Sequence, residues 1–503
     1  MKNMKTQMNR RKFIRGTVAS AAAFTIVPRH VLGGKGYIAP SDKINLGFIG
    51  CGTMGIPHVI GRSKIPEMQI VAVCDPEKDG ANYVDWSRDG LRQSIARALN
   101  KPDWRKGGGI PGGREVARTI VETLYANERA SGHYKGCTAY ADFREMLEKE
   151  KDIDAVEIMT PDHLHATIAI AAMKLGKHVS MHKPLGNTLQ EARMVIETAR
   201  KTNAGTYFLA ASDGKEVRTL AGWIQEGAIG TLREIHNWSN RPVWPQYTAI
   251  PTDTPPVPDG FDWDLWLGPS LERPYHPNFT HAVFRGWYEF GGGAIADMGH
   301  YSLWPVFREF GLDNLALVES TPSHTCTIVD GVSSRFRNDF SFPHACTVRF
   351  MFPSKAGRPE LDLFWYDGGM KPPTPEELRR DNRELPAEGL MLVGDKGRIL
   401  CDFRGENPKV LSGPGVRGLD NTLKNGDQGS GNELIDALKG SKSSFADFTL
   451  GGPIADAFNL AAISLKMGGQ RLVWDAAGGR ITNIESANEH LKREYRKGWE
   501  LTI

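Results

Sequence analysis

"KINLGFIGCGTMG", residues 43–55, decides the fold of this chain because an apolar run leads directly into closely spaced glycines. The run Ile44–Ile49 is typical of a buried strand, and Gly50, Gly52 and Gly55 follow it with G-x-G-x-x-G spacing. That spacing alone is a weak signal, because glycine-rich turns occur in many α/β proteins. The neighbouring residues are therefore needed to show whether this is a dinucleotide-binding turn.

A second strand-like stretch, "MQIVAVCD", ends in Asp75, 20 residues beyond Gly55, and an amphipathic run lies between the two strands. Strand, glycine turn, helix and acidic strand end together form the dinucleotide-binding pattern. Gly50 allows the tight turn, and Gly52 lets the backbone approach a pyrophosphate, which the free N–H groups of the next helix bind. The sequence therefore predicts an α/β fold with an N-terminal Rossmann domain. The predicted cofactor turn consists of Gly50, Gly52, Thr53, Met54 and Gly55.

The acidic strand end favours one cofactor over the other. A carboxylate at Asp75 can accept hydrogen bonds from the ribose hydroxyls of NAD, but it would repel the 2′-phosphate of NADP. We therefore predict NAD.

Composition and charge narrow the class of protein. The 503 residues are 40% hydrophobic, enough for two or three globular domains. A formal charge of +3, without a basic block, does not indicate a nucleic-acid partner. The six cysteines lack the paired spacing of a zinc site or a disulfide scaffold, so no metal is expected. Whether Cys326 and Cys346 pair is left open.

The N-terminus resembles a twin-arginine export signal. Arg10 and Arg11 stand directly before "KFI", and the apolar run Thr17–Val27 follows. The alternative is a disordered basic tail. The signal predicts export to the periplasm, with cleavage between Val31 and Ala39, and it predicts no lipid anchor or other attachment to the membrane.

Further strands complete the first domain. Ala155–Met159 and His178–Met181 read as parallel strands with helices between them, and the long region 80–136 reads as an excursion with polar helical segments. We predict a signal or disordered segment at 1–40, the Rossmann domain at 41–184 and a second domain at 185–503.

Seven motifs, in chain order, resemble the Gfo/Idh/MocA oxidoreductases. They are "GFIGCGTMG", "AVCD", "YADFREMLE", "DAVEIMTPDHLHA", "MHKPL", "GWIQEGAIGTL" and "GGGAIADMGHY". Several motifs in the right order are more specific than any one of them. The resemblance implies an NAD(P)-dependent enzyme whose second domain is α+β, with an open, mostly antiparallel sheet.

The resemblance also implies roles for the residues that follow two of the predicted strands. "TPDHLHA", with Thr160, Pro161, His163 and His165, would line the nicotinamide side of the cofactor site. The lysine of a Glu-Lys-Pro motif contacts the cofactor ribose and the substrate hydroxyl in this family. Here it is Lys183, and His182 replaces the glutamate. A nearby cation of this kind eases deprotonation of the reacting hydroxyl.

"GGGAIADMGHYSLWP", residues 291–305, carries the other expected catalytic groups. Positions three and four after Asp297 fall to either side of its direction on a helix, so both His300 and Tyr301 could reach the pocket. The resemblance favours Tyr301 as acid or base, because the glucose–fructose oxidoreductase branch has tyrosine there. His300 is the second candidate, or else a buried histidine. Pro305 predicts a kink or an end of the helix.

The second domain contains a segment rich in tryptophan and proline. Aromatic side chains with polar neighbours suit the apolar faces and hydroxyl rims of sugars. Each tryptophan could equally belong to a core or an oligomer contact. The predicted substrate residues are Arg285, Trp287, Trp244 and Trp263.

Export and cofactor together suggest a mechanism. Free nicotinamide cofactor is scarce outside the cytoplasm, so we expect a tightly bound NAD that is regenerated within each cycle. The leading hypothesis is a carbohydrate oxidoreductase that acts at a sugar hydroxyl or ketone.

Two alternatives remain open. One is an NAD-dependent glycoside hydrolase or lyase that acts by transient oxidation, with His182, His300 or His281 as the second base. The other is a non-catalytic sugar-binding scaffold. The expected partners are a sugar or glycoside and a second copy of the chain, as a homodimer or homotetramer.

Overall fold

The structure is a computed structural model that describes residues 38, 42–130, 134–336, 338–355, 357–414, 432–441 and 444–502. The predicted export signal lies outside these residues, except for Ile38. By contacts the chain divides into Met1–Lys43 and Ile44–Ile503. The helices and strands below all belong to the second unit.

The first sheet has six parallel strands in the order β3-β2-β1-β4-β5-β6. This is the doubly wound Rossmann order, with the reversal between β1 and β4. The predicted Rossmann fold is therefore confirmed. Its strands are β1 (Ile44–Ile49), β2 (Met68–Cys74), β3 (Thr138–Tyr140), β4 (Ala155–Ile158), β5 (His178–Met181) and β6 (Thr206–Phe208).

Helices cover both faces of this sheet. They are α1 (Gly55–Arg62), α2 (Gly90–Ala98), α3 (Arg114–Leu124), α4 (Ala126–Ala130), α5 (Phe143–Lys149), α6 (His165–Lys174) and α7 (Leu189–Thr202). The apolar faces of α1, α2 and α3 pack with β1 and β2 in one continuous core. This packing holds the glycine turn rigidly against the sheet.

The parallel sheet extends past residue 184, where the Rossmann domain was predicted to end. A capping box starts α7: the Thr188 hydroxyl accepts from the Glu191 N–H, and the Glu191 carboxylate accepts from the Thr188 N–H. This helix leads into β6, which pairs with β5. The Thr-x-x-Glu pattern was present in the sequence as a helix-start signal, so the extension could have been predicted.

The second sheet has nine strands in the order β15-β14-β13-β7-β12-β11-β8-β16-β17. Only β7 and β12 pair in parallel. The predicted open, mostly antiparallel sheet is confirmed. Its strands are β7 (Leu232–Trp238), β8 (Leu317–Pro322), β11 (Cys346–Phe352), β12 (Leu361–Tyr366), β13 (Gly389–Gly394), β14 (Arg398–Cys401), β15 (Lys409–Ser412), β16 (Leu472–Asp475) and β17 (Arg480–Ile481).

A separate hairpin and further helices complete the second domain. The hairpin consists of β9 (Thr325–Val329) and β10 (Val332–Phe336). The helices are α8 (Lys215–Gln225), α9 (Trp263–Leu267), α10 (His300–Glu309), α11 (Glu376–Arg380), α12 (Asn432–Leu438) and α13 (Gly452–Lys466). Both Cys326 and Cys346 are free thiols. Among the described helices, none is long and apolar enough to cross a bilayer.

Candidate active site

The glycine turn forms the floor of a groove at the carboxyl end of the first sheet. Gly50 has φ +97°, and a Cβ atom there would lie 2.5 Å from the Met159 carbonyl carbon, so only glycine fits. Gly52, Thr53 and Met54 line the groove, whereas Gly55 begins α1 behind them. The turn therefore brings backbone N–H groups and the positive end of α1 towards a bound phosphate.

Asp75 closes one end of the groove. Its carboxylate accepts hydrogen bonds from the Cys51 N–H (2.6 Å) and the Glu77 N–H (2.8 Å). Burial raises the pKa of Asp75 to about 6, and these hydrogen bonds and the Arg114 charge oppose the rise. The carboxylate is therefore mainly ionised at neutral pH and can accept hydrogen bonds from a ribose.

The second domain forms the opposite wall, over the Asp75 end. The Lys78 N–H donates to the Gly260 carbonyl (2.9 Å), and the His281 ring lies against the Tyr83 ring, with centroids 3.9 Å apart. Because the two domains meet over it, the groove is covered at this end. Its remaining lining residues are Pro76, Tyr83, Met159, Thr160, Pro161, Leu164, Phe261, Trp266, His281, Ala282, Phe284 and Arg285.

Thr160 and Pro161 lie in the groove as predicted, but the two histidines of the same motif do not line it. His163 is buried, and its Nε2 hydrogen bonds to the Trp266 carbonyl at 2.8 Å. His165 lies between the carbonyls of Pro184 (2.7 Å) and Thr160 (3.0 Å). Both histidines therefore position the backbone of the site rather than face its contents.

The structure brings Lys183 and Asp297 together as an ion pair, as the predicted roles require. Arg285 Nε lies 3.1 Å from Asp297 Oδ1, and Arg241 Nε lies 4.0 Å from Oδ2. Burial acts to raise the pKa of Asp297, but Lys183 and Arg285 outweigh it and the pKa is lowered. Burial lowers the pKa of Lys183, as does the Arg285 charge, while Asp297 opposes the shift.

A π-helical turn decides between His300 and Tyr301. The segment Ile295–Gly299 is a π-turn that leads directly into α10. A π-turn contains more residues than an α-turn. Tyr301, four residues after Asp297, therefore lies on the same side of the helix as Asp297, whereas His300, three residues after, points away from it. Of the predicted kink or end at Pro305, the end is wrong, because the helix continues through Pro305 to Glu309. The π-turn lies before this helix, at Ile295–Gly299.

His300 accordingly faces the core. Its Nδ1 lies 2.9 Å from the Ala296 carbonyl oxygen, and its ring packs against Phe208 and Phe458. Burial lowers the pKa of His300 to about 3. The geometry therefore favours a buried, neutral histidine.

Tyr301 instead pairs with His182, the residue that replaces the expected glutamate. The Tyr301 hydroxyl lies 2.5 Å from His182 Nε2. Burial, and then the Asp297 charge, raise the pKa of Tyr301 to about 12. Burial, Lys183 and His58 lower the pKa of His182 well below its usual value. Both groups are therefore neutral at pH 7, and one donates a hydrogen bond to the other.

A buried carboxylate anchors the histidine beside this pair. Glu157, in β4, accepts from Arg62 Nε (2.8 Å) and pairs with His58 Nδ1 (2.8 Å). Burial acts to raise the pKa of Glu157, but Arg62 and His58 lower it to about 2. The His58 ring lies 6.3 Å from that of His182. These contacts fix α1 and His58 behind the Tyr301–His182 pair.

Of the predicted substrate residues, only Arg285 lines the groove. Trp287 is buried, and its indole N–H donates to the Asn278 carbonyl. The Trp263 indole donates to the Arg273 carbonyl, and its ring stacks on Trp266. Trp244 is also buried. Trp287 and Trp263 belong to a separate apolar cluster that forms the core of the long segment between β7 and α10.

The groove fits a nicotinamide dinucleotide on three observations. Gly50, at positive φ, makes the tight turn that lines the groove, α1 begins at this turn, and Asp75 presents a carboxylate at the position expected for a ribose. The sequence missed Tyr83, Phe261 and Phe284, because single aromatic residues in loops carry no local signal. It also missed Arg241, which only the tertiary fold brings to Asp297.

Two family models match the chain. The model of the Gfo/Idh/MocA oxidoreductase family, NAD-binding Rossmann fold, matches residues 111–208. The model of the C-terminal alpha/beta domain of the same family matches residues 216–350. These two matches lie in the first and second domains described above.

Similar proteins were found by sequence and by structure. A glycosyl hydrolase family 109 protein of Shewanella sp. (strain W3-18-1) is 27% identical over 218 residues, which is 42% of this chain and 39% of the relative. That of Shewanella putrefaciens is 26% identical over 220 residues, with the same coverage. The chain thus spans only 39% of the length of these relatives.

Two solved structures share the fold. The WlbA dehydrogenase from Bordetella pertussis, in complex with NADH and UDP-GlcNAcA, has a TM-score of 0.50 at 15% identity. The alignment covers 86% of this chain and 99% of that one. The corresponding dehydrogenase from Chromobacterium violaceum has a TM-score of 0.51 at 16% identity and covers 86% and 97%.

Proposed function

The chain belongs to the Gfo/Idh/MocA family of NAD-binding oxidoreductases, and from this premise we propose that it uses a tightly bound NAD for hydride transfer at a sugar hydroxyl or ketone. The observation that carries the proposal is that Lys183 and Asp297 form an ion pair beside Arg285, which lines the groove that Gly50 and Asp75 define. Tyr301 lies within the influence of the Asp297 charge. When bound, NAD supplies the hydride acceptor and donor.

The side chains of this site have separable roles. Lys183 holds the substrate hydroxyl and, as a cation, stabilises its oxygen as the proton leaves. Asp297 keeps Lys183 charged and in place. Tyr301 moves the proton at its phenolic oxygen, and His182 is its hydrogen-bond partner.

Retention of the cofactor is supported by the covered end of the groove. Segments of the second domain contact the chain just beyond Asp75, through the Lys78–Gly260 hydrogen bond and the Tyr83–His281 ring contact. These contacts would cover part of a dinucleotide held there. This arrangement suits a cofactor that is recycled in place.

A second candidate function is cleavage of a glycoside by transient oxidation, without net change in the cofactor. It is favoured by the glycosyl hydrolase family 109 relatives and by the Tyr301–His182 pair, which supplies a second proton-handling group beside Tyr301. Release of a sugar from a glycoside without accumulation of NADH would identify this reaction. Net formation of NADH, or coupled reduction of a second sugar, would identify the first.

The first test is identification of the nucleotide that the purified protein releases on denaturation, by absorbance and mass. Near-stoichiometric NAD or NADH supports retention, whereas an empty protein that binds NAD weakly contradicts it. The second test is Lys183→Ala, which should abolish turnover and leave NAD bound. Lys215→Ala, at an exposed position, is the matched control. Full activity of the Lys183 variant would contradict the proposed mechanism.

We also propose export by the twin-arginine pathway, which the sequence around Arg10 and Arg11 supports. Replacing both residues by lysine should keep the protein in the cytoplasm, as cell fractionation would show. An unchanged distribution would contradict export by this route.

A further inference from the structure

Four cationic side chains lie around Asp297 and Tyr301, and one of them, Arg285, also lines the groove. Lys183 and Arg285 contact one oxygen of Asp297, and Arg241 lies near the other. The Arg404 guanidinium lies 4.8 Å from the centre of the Tyr301 ring and has no carboxylate partner among the described residues. These charges converge on the place where the substrate must lie.

The nearby carboxylates do not balance them. Besides Asp297, Asp162 acts on Lys183 as an opposite charge, and one of its oxygens accepts from the Gly292 N–H. Glu157 does not contribute, because Arg62 already neutralises it. Four cations and two carboxylates leave the pocket with a surplus of positive charge.

One nitrogen of each arginine lacks a hydrogen bond, although Arg285 Nε faces Asp297 Oδ1 at 3.1 Å and Arg241 Nη1 donates to Asn240 Oδ1 at 2.6 Å. The Nε atoms of Arg241 and Arg285 are shielded from solvent and make no hydrogen bond. A buried unpaired donor is unfavourable, and one that carries charge more so. An anionic ligand would supply both the missing charge and the missing acceptors, since the guanidinium group matches carboxylate, sulfate and phosphate oxygens.

An aromatic surface adjoins these charges. Trp86 is 57% exposed, and the Arg241 guanidinium lies 5.4 Å from its ring centre. An exposed indole beside a polar pocket offers a flat apolar surface to a sugar ring. Trp86 belongs to the excursion of the first domain, where no sequence motif indicates a site.

We propose that the substrate is a sugar derivative bearing an anionic group (a carboxylate, or a sulfate or phosphate ester) that Arg241 and Arg285 bind, with Trp86 against the sugar ring. The proposal names the substrate class and rests on the proposed function. It assigns specificity to Arg241 and Trp86, which are not among the residues that line the groove over the glycine turn.

Isothermal titration of the purified, nucleotide-containing protein tests the proposal. The probes are D-glucuronate, inorganic phosphate and, as the neutral match, D-glucose. At least one of the two anions should bind ten or more times more tightly than glucose. Glucuronate alone would indicate a carboxylate, and phosphate alone an ester. If neither anion exceeds glucose, or neither binds, the proposal is overturned.

Variants separate the anion site from the rest of the enzyme. Arg241→Gln should weaken anion binding about tenfold or more, whereas Arg398→Gln, which breaks an ion pair with Glu377 elsewhere, should not. If Arg285→Gln loses its bound nucleotide but keeps its affinity for the anion, Arg285 binds the cofactor. Its proposed role in binding the anionic group of the substrate would then be wrong. The titrations measure binding without turnover, so they can be interpreted even if the proposed hydride transfer is wrong. The analysis of the released nucleotide tests the proposed function separately.

Discussion

Removing the charges of the Lys183–Asp297 pair one at a time should change stability in opposite directions. Asp297→Asn leaves Lys183, Arg285 and Arg241 facing one another without an anion. Lys183→Met removes a buried ammonium, and Asp297 keeps its two arginines. The lowered pKa of Lys183 shows that the fold disfavours its charged form, and the lowered pKa of Asp297 shows that the fold favours its charged form.

The expected magnitudes follow from the contacts. At an effective dielectric constant of about 20, unit charges about 3 Å apart attract by about 5 kcal/mol. Asparagine keeps an acceptor at the same place, so we expect Asp297→Asn to lower the free energy of unfolding by about 3 kcal/mol, as for other broken buried pairs. Lys183→Met replaces a buried charge by an apolar chain of similar length and should be neutral or stabilising by about 1 kcal/mol.

Urea unfolding at pH 7, followed by circular dichroism and tryptophan fluorescence, measures both changes. The bound nucleotide must be quantified in each variant, because its loss would also lower stability. Asp313→Asn, which breaks the exposed pair with Lys355, should cost less than about 1 kcal/mol. If both site variants lost equal stability, or if Asp297→Asn lost no more than the control, the inferred surplus of positive charge would be wrong.

Further outcomes follow from single side chains. Tyr301→Phe should lower kcat/KM by about 10²–10⁴ with sugar binding retained, and His300→Leu should lower it far less; steady-state kinetics showing the reverse order would move the role to His300. Asp75→Ala should weaken NAD about tenfold and reduce the preference over NADP, measured by fluorescence titration of apoprotein, and an unchanged preference would contradict the ribose contact. The pKa of His300 is about 3 in the fold and about 6.5 when unfolded. The unfolded chain therefore binds more protons between these values, and stability falls as the pH drops from about 6.5 towards 3. His300→Leu should reduce that slope by up to about 1.4 kcal/mol per pH unit in urea unfolding at pH 5 and 7, while the exposed His324→Gln control should retain it.

The first domain could be predicted from the sequence because its signals are local. The apolar run Ile44–Ile49, the glycine spacing and Asp75 lie within one βαβ unit, and each has a single physical reading. The end of the domain was placed too early, at residue 184, although the Thr-x-x-Glu pattern at Thr188 indicated another helix.

The site was only partly predictable, because much of it depends on contacts between distant segments. Lys183 and Asp297 are 114 positions apart and were linked by family resemblance rather than by spacing. Whether His300 or Tyr301 faces the pocket depends on the π-turn at Ile295–Gly299, and no sequence pattern predicts such a turn. Tryptophan content predicted sugar contacts, but Trp287 is buried in a core, and the exposed indole is Trp86.

The π-turn at Ile295–Gly299 has a consequence for the evolution of this helix. Deleting one residue there would restore a regular helix and rotate every later residue by about 100° relative to Asp297. Either Tyr301 would leave the pocket or Trp304 and Phe307, now buried, would leave the core. The extra residue in the π-turn changes the direction in which the following side chains point. It lets Tyr301 face the pocket while Trp304 and Phe307 face the core. Insertions and deletions should therefore be tolerated after α10 but not within this turn.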